Sequence, residues 1–511
     1  MEAENLLCHR AARHGDRLAL VDVAGPTSYA ELERRSAQAA SMLLAGTADL
    51  AEARIAYLIA PGAEHAAIQW AIWRAGGIAV PLALSHPERE LAYVLEDAGA
   101  SLLVADEAHW ERARAASDAT GTFLVGTGSL LVPREPAPLP RLGPDRRALM
   151  IYTSGTTGRP KGVVTTHGNL RAQVTTLVDA WGWTPEDRIL HVLPLHHVHG
   201  LVNVLSCALW TGAACELLPK FDPVAVWERL GSGEISLFMA VPTIYARLIA
   251  AWESADPDTR RRWSEGARGL RLMVSGSAAL PVAVLERWRA ITGHTLLERY
   301  GMTEIGMALS NPLEGERRPG TVGQPFAGVA LRLVDESGAE VGSDEPGEIE
   351  VRGPQVFREY WARPAETEAA FRDGWFKTGD VAVLERGYYR MLGRKSTDLI
   401  KSAGYKISAL EIEELLREHP DVADCAVVAL PDPDLGERIA AAVVAREGST
   451  LDPGLLGLWA KDRLAPYKVP REIRLVAELP RNAMGKVTKP VLREQLGVSA
   501  SPAPGARRPG P

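Results

Sequence analysis

A glycine-rich loop follows the apolar, strand-like run Ala148–Tyr152. Glycines leave backbone N–H groups accessible, hydroxyl side chains add donors, and a lysine near the end supplies positive charge. A polyphosphate requires that combination, although the spacing does not fit a Walker A motif. The residues predicted to contact phosphate are Thr153, Ser154, Gly155, Thr156, Thr157, Gly158 and Lys161.

Four further motifs follow the loop, namely ERYGMTE at 298–304, GWFKTGD at 374–380, GRK at 393–395 and PRNAMGK at 480–486. In this order they resemble the adenylate-forming superfamily of acyl-CoA synthetases, nonribosomal adenylation domains and beetle luciferases. The resemblance runs from about Thr27 to about Leu496. It implies a two-step reaction in which a carboxylate attacks the α-phosphate of ATP, giving acyl-AMP and pyrophosphate, and a thiol then displaces AMP.

The resemblance also implies which residues contact the nucleotide. Glu304 would hold Mg²⁺, a hard cation that prefers oxygen ligands, together with Thr156. Thr303 would bind the α-phosphate, and Tyr300 would stack on adenine. Asp380 would accept hydrogen bonds from both ribose hydroxyls. Gly276, Ser277 and Ala278 would line the adenine side of the site. Gly301 and Met302 are further expected nucleotide contacts, and Arg394 would reach the ribose.

Lys486 is the expected adenylation catalyst, because a point charge there can bridge the incoming carboxylate and the α-phosphate. Losing one such electrostatic contact typically costs roughly 3–4 kcal/mol. In the superfamily a C-terminal domain then rotates about a hinge, here among residues 395–398. The rotation would bring in the expected CoA contacts Lys401, Ser402, Gly404 and Tyr405, of which Gly404 lets the pantetheine arm pass close to the backbone.

Three histidines, His196, His197 and His199, raise the possibility of a metal site. We favour a pocket lining, because neighbouring side chains on a strand point apart and no carboxylate lies nearby in sequence. The resemblance implies that His197 gates the acyl pocket and that His199 lies beside the substrate.

Arg247 stands where enzymes for hydrophobic acids carry a small or apolar residue. A guanidinium matches a carboxylate in geometry, and a buried cation without an anion is costly. Arg247 therefore predicts a second carboxylate on the substrate, with an exposed helix arginine as the alternative and Arg271 as a secondary candidate. The strings HHVHG, VPTIY, VSGSAALP and ERYGMTE resemble malonyl-CoA synthetases, which implies malonate, with methylmalonate tolerated.

The predicted function is an ATP-dependent malonate:CoA ligase that uses ATP, Mg²⁺ and CoA. A synthetase for another small or medium-chain acid and a freestanding enzyme that loads a carrier protein are alternatives. A third alternative is a catalytically silent nucleotide-binding regulator. The retention of Lys486, Glu304 and Asp380 argues against this alternative. The expected partners are small molecules, the expected state is a monomer or homodimer, and no nucleic acid or membrane is expected.

These residues must be positioned by more than one domain, because 511 residues exceed what a single core supports. Short apolar runs alternate with helical stretches, which is typical of sheets covered on both faces. The predicted fold is α/β. We predict a large N-terminal domain, 1–393, with two α/β sheet subdomains and a β-barrel-like subdomain. A small, mobile α+β domain is predicted at 394–497, followed by a disordered tail at 498–511.

Composition excludes several other classes. Lys plus Arg number 57 against 64 Asp plus Glu, so the chain has no global basic field of the kind that nucleic acids attract. No segment reaches the ~18 apolar residues of a membrane helix. The four cysteines are scattered, which suits a reducing compartment. Because the first residues are acidic and no apolar run follows them, we predict a cytoplasmic protein.

Overall fold

The computed structural model of the protein describes residues 7–133, 135, 137–153, 159–402, 405–481 and 486–498, with the backbone alone at Lys406 and Val498. The described residues pack as two compact units. The first comprises those of Met1–Leu280, Val284–Arg332 and Glu350–Thr378, and the second those of Pro281–Ala283, Leu333–Ile349 and Gly379–Pro511. The predicted domain boundary at 393/394 stays a prediction, because packing alone does not locate a hinge.

The first unit contains a nine-stranded sheet whose central strands are parallel. In a parallel sheet the carboxyl ends of the strands share one edge, where ligands usually bind. The sequence motifs that follow these strands therefore converge at that edge. In spatial order the strands are Gln324–Pro325, Gly306–Ser310, Leu297–Met302, Leu272–Ser275, Leu237–Ala240, Arg188–His191, Ala214–Leu217, Leu18–Asp22 and Gly25–Ser28.

A seven-stranded sheet completes the main framework of the first unit. Its core strands are parallel, and the antiparallel hairpin of Arg147–Thr153 with Lys161–Thr166 flanks the phosphate-loop sequence. In spatial order the strands are Glu359–Tyr360, Lys161–Thr166, Arg147–Thr153, Ile78–Pro81, Arg54–Leu58, Leu102–Ala105 and Phe123–Gly126.

Helices connect the strands, and many begin at a side-chain cap. Ser28 accepts the backbone N–H of Glu31, and Thr166 forms a reciprocal capping box with Asn169, which satisfies N–H groups at the helix start. The α-helices up to residue 369 are Leu7–Ala11, Tyr29–Leu44, Ala63–Arg74, Glu88–Ala98, Trp110–Thr120, Thr127–Leu130, His167–Ala180, Cys207–Thr211, Pro223–Leu230, Pro242–Ser254, Pro257–Ala267, Val282–Thr292 and Pro364–Ala369. The 3₁₀ turns Ala12–His14 and Glu107–His109 and the π-helix His199–Ser206 complete this part of the chain.

Stacked tryptophans form the core beneath one face of the nine-stranded sheet. The rings of Trp227 and Trp263 lie 5.6 Å apart and those of Trp227 and Trp288 lie 5.2 Å apart. Tyr245 packs edge-on against Trp288, and its hydroxyl donates to the carbonyl oxygen of Val274 at 2.9 Å. The core therefore fixes helix Pro242–Ser254 against the strand that leads to Ser275.

A β-rich stretch links the two units along the chain. Strand Trp375–Glu385 passes from the first unit into the second, where it pairs with Tyr388–Arg394. Within the first unit the fully buried carboxylate of Glu350 accepts hydrogen bonds from Arg332 and lies 3.1 Å from Arg372, so its charge is balanced. The other strands of this stretch are Ala330–Val334, Gly347–Arg352 and Phe371–Arg372.

The second unit is an α+β fold around its own apolar core. Strands Val422–Asp432 and Gly436–Ala445 form a long antiparallel hairpin. Leu399–Ser402 and Glu472–Leu475 pair with the second of these strands, and Tyr405–Ser408 pairs with Leu399–Ser402. Its helices are Ala409–Arg417, Pro453–Lys461 and Lys489–Val498, with a 3₁₀ turn at Pro466–Lys468.

All four cysteines are buried and free. Among the helices of the described ranges, none combines the length and apolar character that crossing a bilayer would need.

We expect Trp288→Ala to lower the stability of the first unit by about 3–5 kcal/mol, because it removes a fully buried ring from a stacked core. Differential scanning calorimetry of the full chain measures the effect. Trp288→Phe, which keeps an aromatic ring in the stack, should lose much less. An unchanged transition in Trp288→Ala would contradict this account of the core.

Candidate active site

Ser277 lies at the carboxyl edge of the nine-stranded sheet, two residues after strand Leu272–Ser275. Its φ of 71° is unusual for a residue with a side chain, and such backbone strain concentrates at functional sites. The hydroxyl lies 3.2 Å from Nδ1 of His199 and accepts a hydrogen bond from Arg299 at 3.3 Å. The fold thus brings together Ser277 and His199, two residues that the sequence predicts for the site, and adds Arg299.

Arg299 is a buried cation without an acidic partner in the part of the chain that the structure describes. Its side chain is 3% exposed, and its one hydrogen bond among the described residues is to Ser277. Its Nε is buried and forms no hydrogen bond with a described residue. Burial lowers the pKa of Arg299 to about 9, which still leaves the guanidinium charged at neutral pH. Such a group is costly unless an anion joins it, so its surroundings favour a negatively charged ligand.

Gly276 allows this arrangement. A Cβ at Gly276 would lie 2.6 Å from the guanidinium carbon of Arg299, so the arginine packs directly against the glycine backbone. The glycine is needed at this position because of a close approach and not because of a special φ.

Arg299 was missed by the sequence analysis, although it lies inside the quoted ERYGMTE motif. The available signal was the charge of Arg299 in strand Leu297–Met302, whose first three residues are buried. Lys, Arg, Asp and Glu are rarely fully buried unless they are paired.

The histidine segment folds as a turn that leads into a π-helix. The prediction that His196 and His197 point apart is wrong, because they lie in a turn and not on a strand, and their rings are 4.1 Å apart. Burial and then the neighbouring His197 lower the pKa of His196 to about 2. This ring is therefore neutral at physiological pH and does not supply the positive charge that an anion needs.

Two other predicted arginines differ sharply in their surroundings. Helix Pro242–Ser254 buries Tyr245 and Leu248, and Arg247 is exposed on the opposite face, so the expectation of a buried Arg247 is wrong. Its contact with substrate stays a prediction. Arg271 precedes strand Leu272–Ser275, at the end away from Ser277, and binds Asp187 at 2.7 and 2.5 Å. This ion pair does not support a substrate role for Arg271.

Glu304 and Lys161 approach the same aromatic side chain. Glu304 lies in the turn after strand Leu297–Met302 and is 6% exposed, and the hydroxyl of Tyr360 donates to its carboxylate at 3.1 Å. Nζ of Lys161 lies 5.3 Å from the centre of the Tyr360 ring and forms an ion pair with Glu366. Tyr360 was also missed, because no sequence motif marked it.

A single buried carboxylate fits the predicted magnesium role of Glu304. Mg²⁺ usually takes one or two carboxylates and completes its shell with water and substrate phosphates. Among the described residues no group of three or more His, Cys, Asp or Glu converges as a metal site. Thr156, the second predicted ligand, lies outside the described residues.

The remaining nucleotide residues of the first unit gather around these groups. Tyr300, Gly301 and Met302 end strand Leu297–Met302, Thr303 follows in the turn, and Ala278 is exposed beside Ser277. Thr153 pairs with Lys161 across the hairpin that leads into and out of the predicted phosphate loop. Ser154, Gly155, Thr157 and Gly158 of that loop lie outside the described residues, as do Gly404 and most of the predicted tail.

The second unit holds the other predicted residues. Asp380 and Arg394 are cross-strand neighbours, and Nε of Arg394 donates to the buried carboxylate of Asp380 at 3.1 Å. Lys486 is exposed beside the isolated bridge between Arg481 and Val487. Lys401, Ser402 and Tyr405 lie on the hairpin of Leu399–Ser402 with Tyr405–Ser408.

A strained strand end with a buried cation, and a buried carboxylate that shares the neighbour Tyr360 with Lys161, are features expected of a nucleotide-activating enzyme. Residues 7–361 match the model described as AMP-binding enzyme, and residues 411–486 match the AMP-binding enzyme C-terminal domain. The chain therefore belongs to the AMP-binding enzyme family.

Similar proteins extend over nearly the whole chain. The human malonate–CoA ligase ACSF3, mitochondrial, is 48% identical over 94% of this chain and 90% of its own length. A malonate–CoA ligase of Arabidopsis thaliana is 44% identical over 88% of this chain and 79% of its own. The crystal structure of ATP-bound MatB from Rhodopseudomonas palustris is 36% identical, has a TM-score of 0.88, and matches 97% of this chain and 99% of that one.

We expect Arg299→Met to stabilise the ligand-free protein by about 1–4 kcal/mol, because an apolar side chain replaces a buried, unpaired charge. Arg271→Met is the matched comparison. This change should destabilise the ligand-free protein by about 3–5 kcal/mol, because it leaves the buried carboxylate of Asp187 without its cationic partner. Calorimetry without ligands measures both. Equal destabilisation by the two changes would argue against an uncompensated charge at Arg299.

Proposed function

We propose that the protein is an ATP-dependent malonate:CoA ligase. It forms malonyl-AMP and pyrophosphate from malonate and ATP, and CoA then displaces AMP to give malonyl-CoA. The observation that carries the choice of acid is the buried Arg299 beside Ser277 and His199, since an unpaired guanidinium favours a substrate with a second negative end. The malonate–CoA ligases among the similar proteins support the same choice.

In the proposed first step, the substrate's distal carboxylate pairs with Arg299 and accepts a hydrogen bond from Ser277. The reacting carboxylate then projects away from the sheet, toward the α-phosphate. Arg247, which is exposed on its helix, is a second proposed contact for the distal end. Positioning of this kind matters because the reaction joins two anions, and orientation lowers the entropic barrier.

Glu304 would hold Mg²⁺, which supplies charge neutralisation on the phosphates when it is bound. Tyr360 orients the carboxylate of Glu304 through its hydrogen bond, and Lys161 adds positive charge on the same side. Thr303 and Tyr300 are proposed for the α-phosphate and adenine, and Asp380 with Arg394 for the ribose. Arg394 already orients the Asp380 carboxylate.

Lys486 is the proposed adenylation catalyst, and Lys401, Ser402, Gly404 and Tyr405 are proposed contacts of CoA. A rotation of the domain that begins near 394 would exchange the two sets between the half-reactions. Methylmalonate is a proposed second substrate, because one methyl group discriminates by only ~1–3 kcal/mol in a pocket.

The proposed partners are malonate, ATP and CoA, with the protein a monomer or homodimer. We keep the cytoplasm as the proposed compartment, although the animal relatives are named as mitochondrial.

The direct test measures AMP formation with malonate, methylmalonate, acetate, hexanoate and succinate, with and without CoA. We expect malonate to give the highest kcat/KM and CoA to be required for turnover. If malonate releases no more AMP than acetate or hexanoate, the proposed acid is wrong.

Variants of the two arginines locate the distal carboxylate in the same assay. Arg299→Met should lower kcat/KM for malonate by at least about 100-fold, because a buried carboxylate loses its partner. Arg247→Met should cost less, because exposed ion pairs contribute only about 0–1 kcal/mol. Acetate, which lacks the second carboxylate, is the control substrate, and its slower turnover should be insensitive to both changes.

Lys486→Ala should abolish malonyl-AMP formation and leave thioester formation from supplied malonyl-AMP largely intact. The reason is that its charge is needed only while the carboxylate and α-phosphate join. Pyrophosphate release reports the first half-reaction, and consumption of CoA thiol reports the second. Equal loss in both half-reactions would contradict a lysine that acts in one of them.

A further inference from the structure

Asp97, on helix Glu88–Ala98 of the first unit, is bound by side chains from two distant parts of the chain. Its carboxylate accepts a hydrogen bond from the hydroxyl of Tyr152 at 2.8 Å and another from the guanidinium of Arg363 at 2.7 Å. The hydroxyl of Tyr93, one turn earlier on the helix, lies 3.4 Å from the same carboxylate. The Asp97 side chain is only 13% exposed, so protein donors replace much of the water around its charge.

The two tyrosines connect Asp97 to both sides of the predicted phosphate loop. Tyr152 lies near the end of strand Arg147–Thr153, which leads into the loop. On the other side of the loop, the carbonyl oxygen of Pro160 accepts a hydrogen bond from Tyr93 at 2.7 Å. Burial and then the hydrogen bond to Asp97 raise the pKa of Tyr152, so its hydroxyl remains a donor at neutral pH.

A series of alternating charges leads from Asp97 to Lys161. Arg363 donates to Asp97, and its Nε lies 3.6 Å from the carboxylate of Glu366. Glu366 in turn forms an ion pair with Lys161, the cation predicted to contact phosphate. Nζ of Lys161 also lies over the ring of Tyr360, which orients the proposed magnesium ligand. The position of Lys161 therefore depends on charges that are anchored at Asp97.

We propose that Asp97 is a positioning residue for the reaction with ATP, and that it fixes Lys161 and the strand ends beside the phosphate loop for the polyphosphate. The inference rests on the proposed function, in which ATP activates the acid. Asp97 acts through Tyr93, Tyr152 and Arg363 and does not itself touch substrate. Groups that stabilise charge are most effective when neighbouring side chains fix them in advance, because no free energy is then lost in rearranging them.

A matched control lies at the opposite end of the same strand. Asp49 accepts two hydrogen bonds of 2.9 Å from Arg146, the residue directly before strand Arg147–Thr153. Arg146 also donates to the carbonyl oxygen of Gly76, and both members of the pair are partly buried. This ion pair resembles the one between Asp97 and Arg363, but it holds the end of the strand that is remote from the phosphate loop.

Malonate-dependent pyrophosphate release measures the expected effect. Asp97→Ala should lower kcat/KM for ATP roughly 10- to 100-fold, because a misplacement of about 1 Å can cost about 100-fold in rate. Thioester formation from supplied malonyl-AMP, which carries no pyrophosphate group, should keep its rate. Asp49→Ala should change neither half-reaction. Tyr152→Phe, which keeps the ring and loses only the hydroxyl, should show a smaller loss of the same kind.

A double-variant cycle tests whether Asp97 acts through Arg363. Arg363→Met should reproduce much of the loss, and its combination with Asp97→Ala should lose far less than the product of the two single effects. Single effects that multiply would contradict this route. The inference is overturned by an unchanged kcat/KM for ATP in Asp97→Ala, by equal loss in both half-reactions, or by an equal loss in Asp49→Ala.

A failure of the proposed function would be recognised separately. Titration calorimetry with ATP alone needs no acid, and Asp97→Ala should bind ATP several-fold more weakly than the wild type and Asp49→Ala do. Pyrophosphate release by the wild type across the panel of acids tests the choice of malonate. A wrong acid would leave the comparison of Asp97→Ala with Asp49→Ala intact, because it can be repeated with whichever acid the wild type activates.

Discussion

A guanidinium buried without an acid is the interaction on which the proposed chemistry depends. Arg299 lies behind Gly276 and touches Ser277, in surroundings that lower its pKa through burial and offer no described carboxylate. A folded protein tolerates the desolvation free energy of a buried charge when a bound ligand compensates that charge. An anionic substrate would supply the negative partner that this guanidinium lacks among the described residues. A neutral acyl chain in the same place would leave the buried charge uncompensated.

The same edge of the sheet also explains why recognition and activation can be close together. Strand Leu272–Ser275 leads to Ser277, and its parallel neighbour Leu297–Met302 carries Arg299 and leads to Glu304. The proposed recognition of the acid and the proposed binding of magnesium therefore depend on two adjacent strands. The core of stacked tryptophans is tied to the first of these strands by the hydrogen bond from Tyr245, which packs on Trp288, to Val274.

Much of this framework was predictable from sequence, because buried strands and helices leave clear apolar patterns. The strand-like run Ala148–Tyr152 lies within strand Arg147–Thr153. The α/β class and the small second domain are confirmed by the similar solved structures. The ends of the strands were less predictable. Strand Val422–Asp432 continues through Pro431, and the proline is tolerated because this strand is at the edge of its sheet.

The site was predictable only where a motif names a residue. Ser277, His199 and Glu304 lie in quoted motifs, and the structure places Ser277 beside His199 and Arg299 and Glu304 beside Tyr360. The predicted role of Ser277 on the adenine side stays a prediction. Tyr360 belongs to no motif, and the fold brings it to Glu304 from 56 positions further along the chain. Arg247 and Arg271 show the limit of reasoning from residue type, since one guanidinium faces solvent and the other binds Asp187.

The two cations proposed for the acid and for catalysis are held in opposite ways, and the difference follows from their tasks. Arg299 is buried, which suits a group proposed to discriminate among acids. Lys486 is exposed, next to Val487, which bridges to Arg481, and Lys489 is buried between Asp398 and Glu413 at 2.5 and 2.7 Å. An exposed lysine incurs little desolvation cost while it is away from the phosphates. The ion pairs of Lys489 anchor the start of the helix that follows Lys486. In the proposed rotation, a charge needed in only one half-reaction would therefore be presented and withdrawn with the unit that carries it.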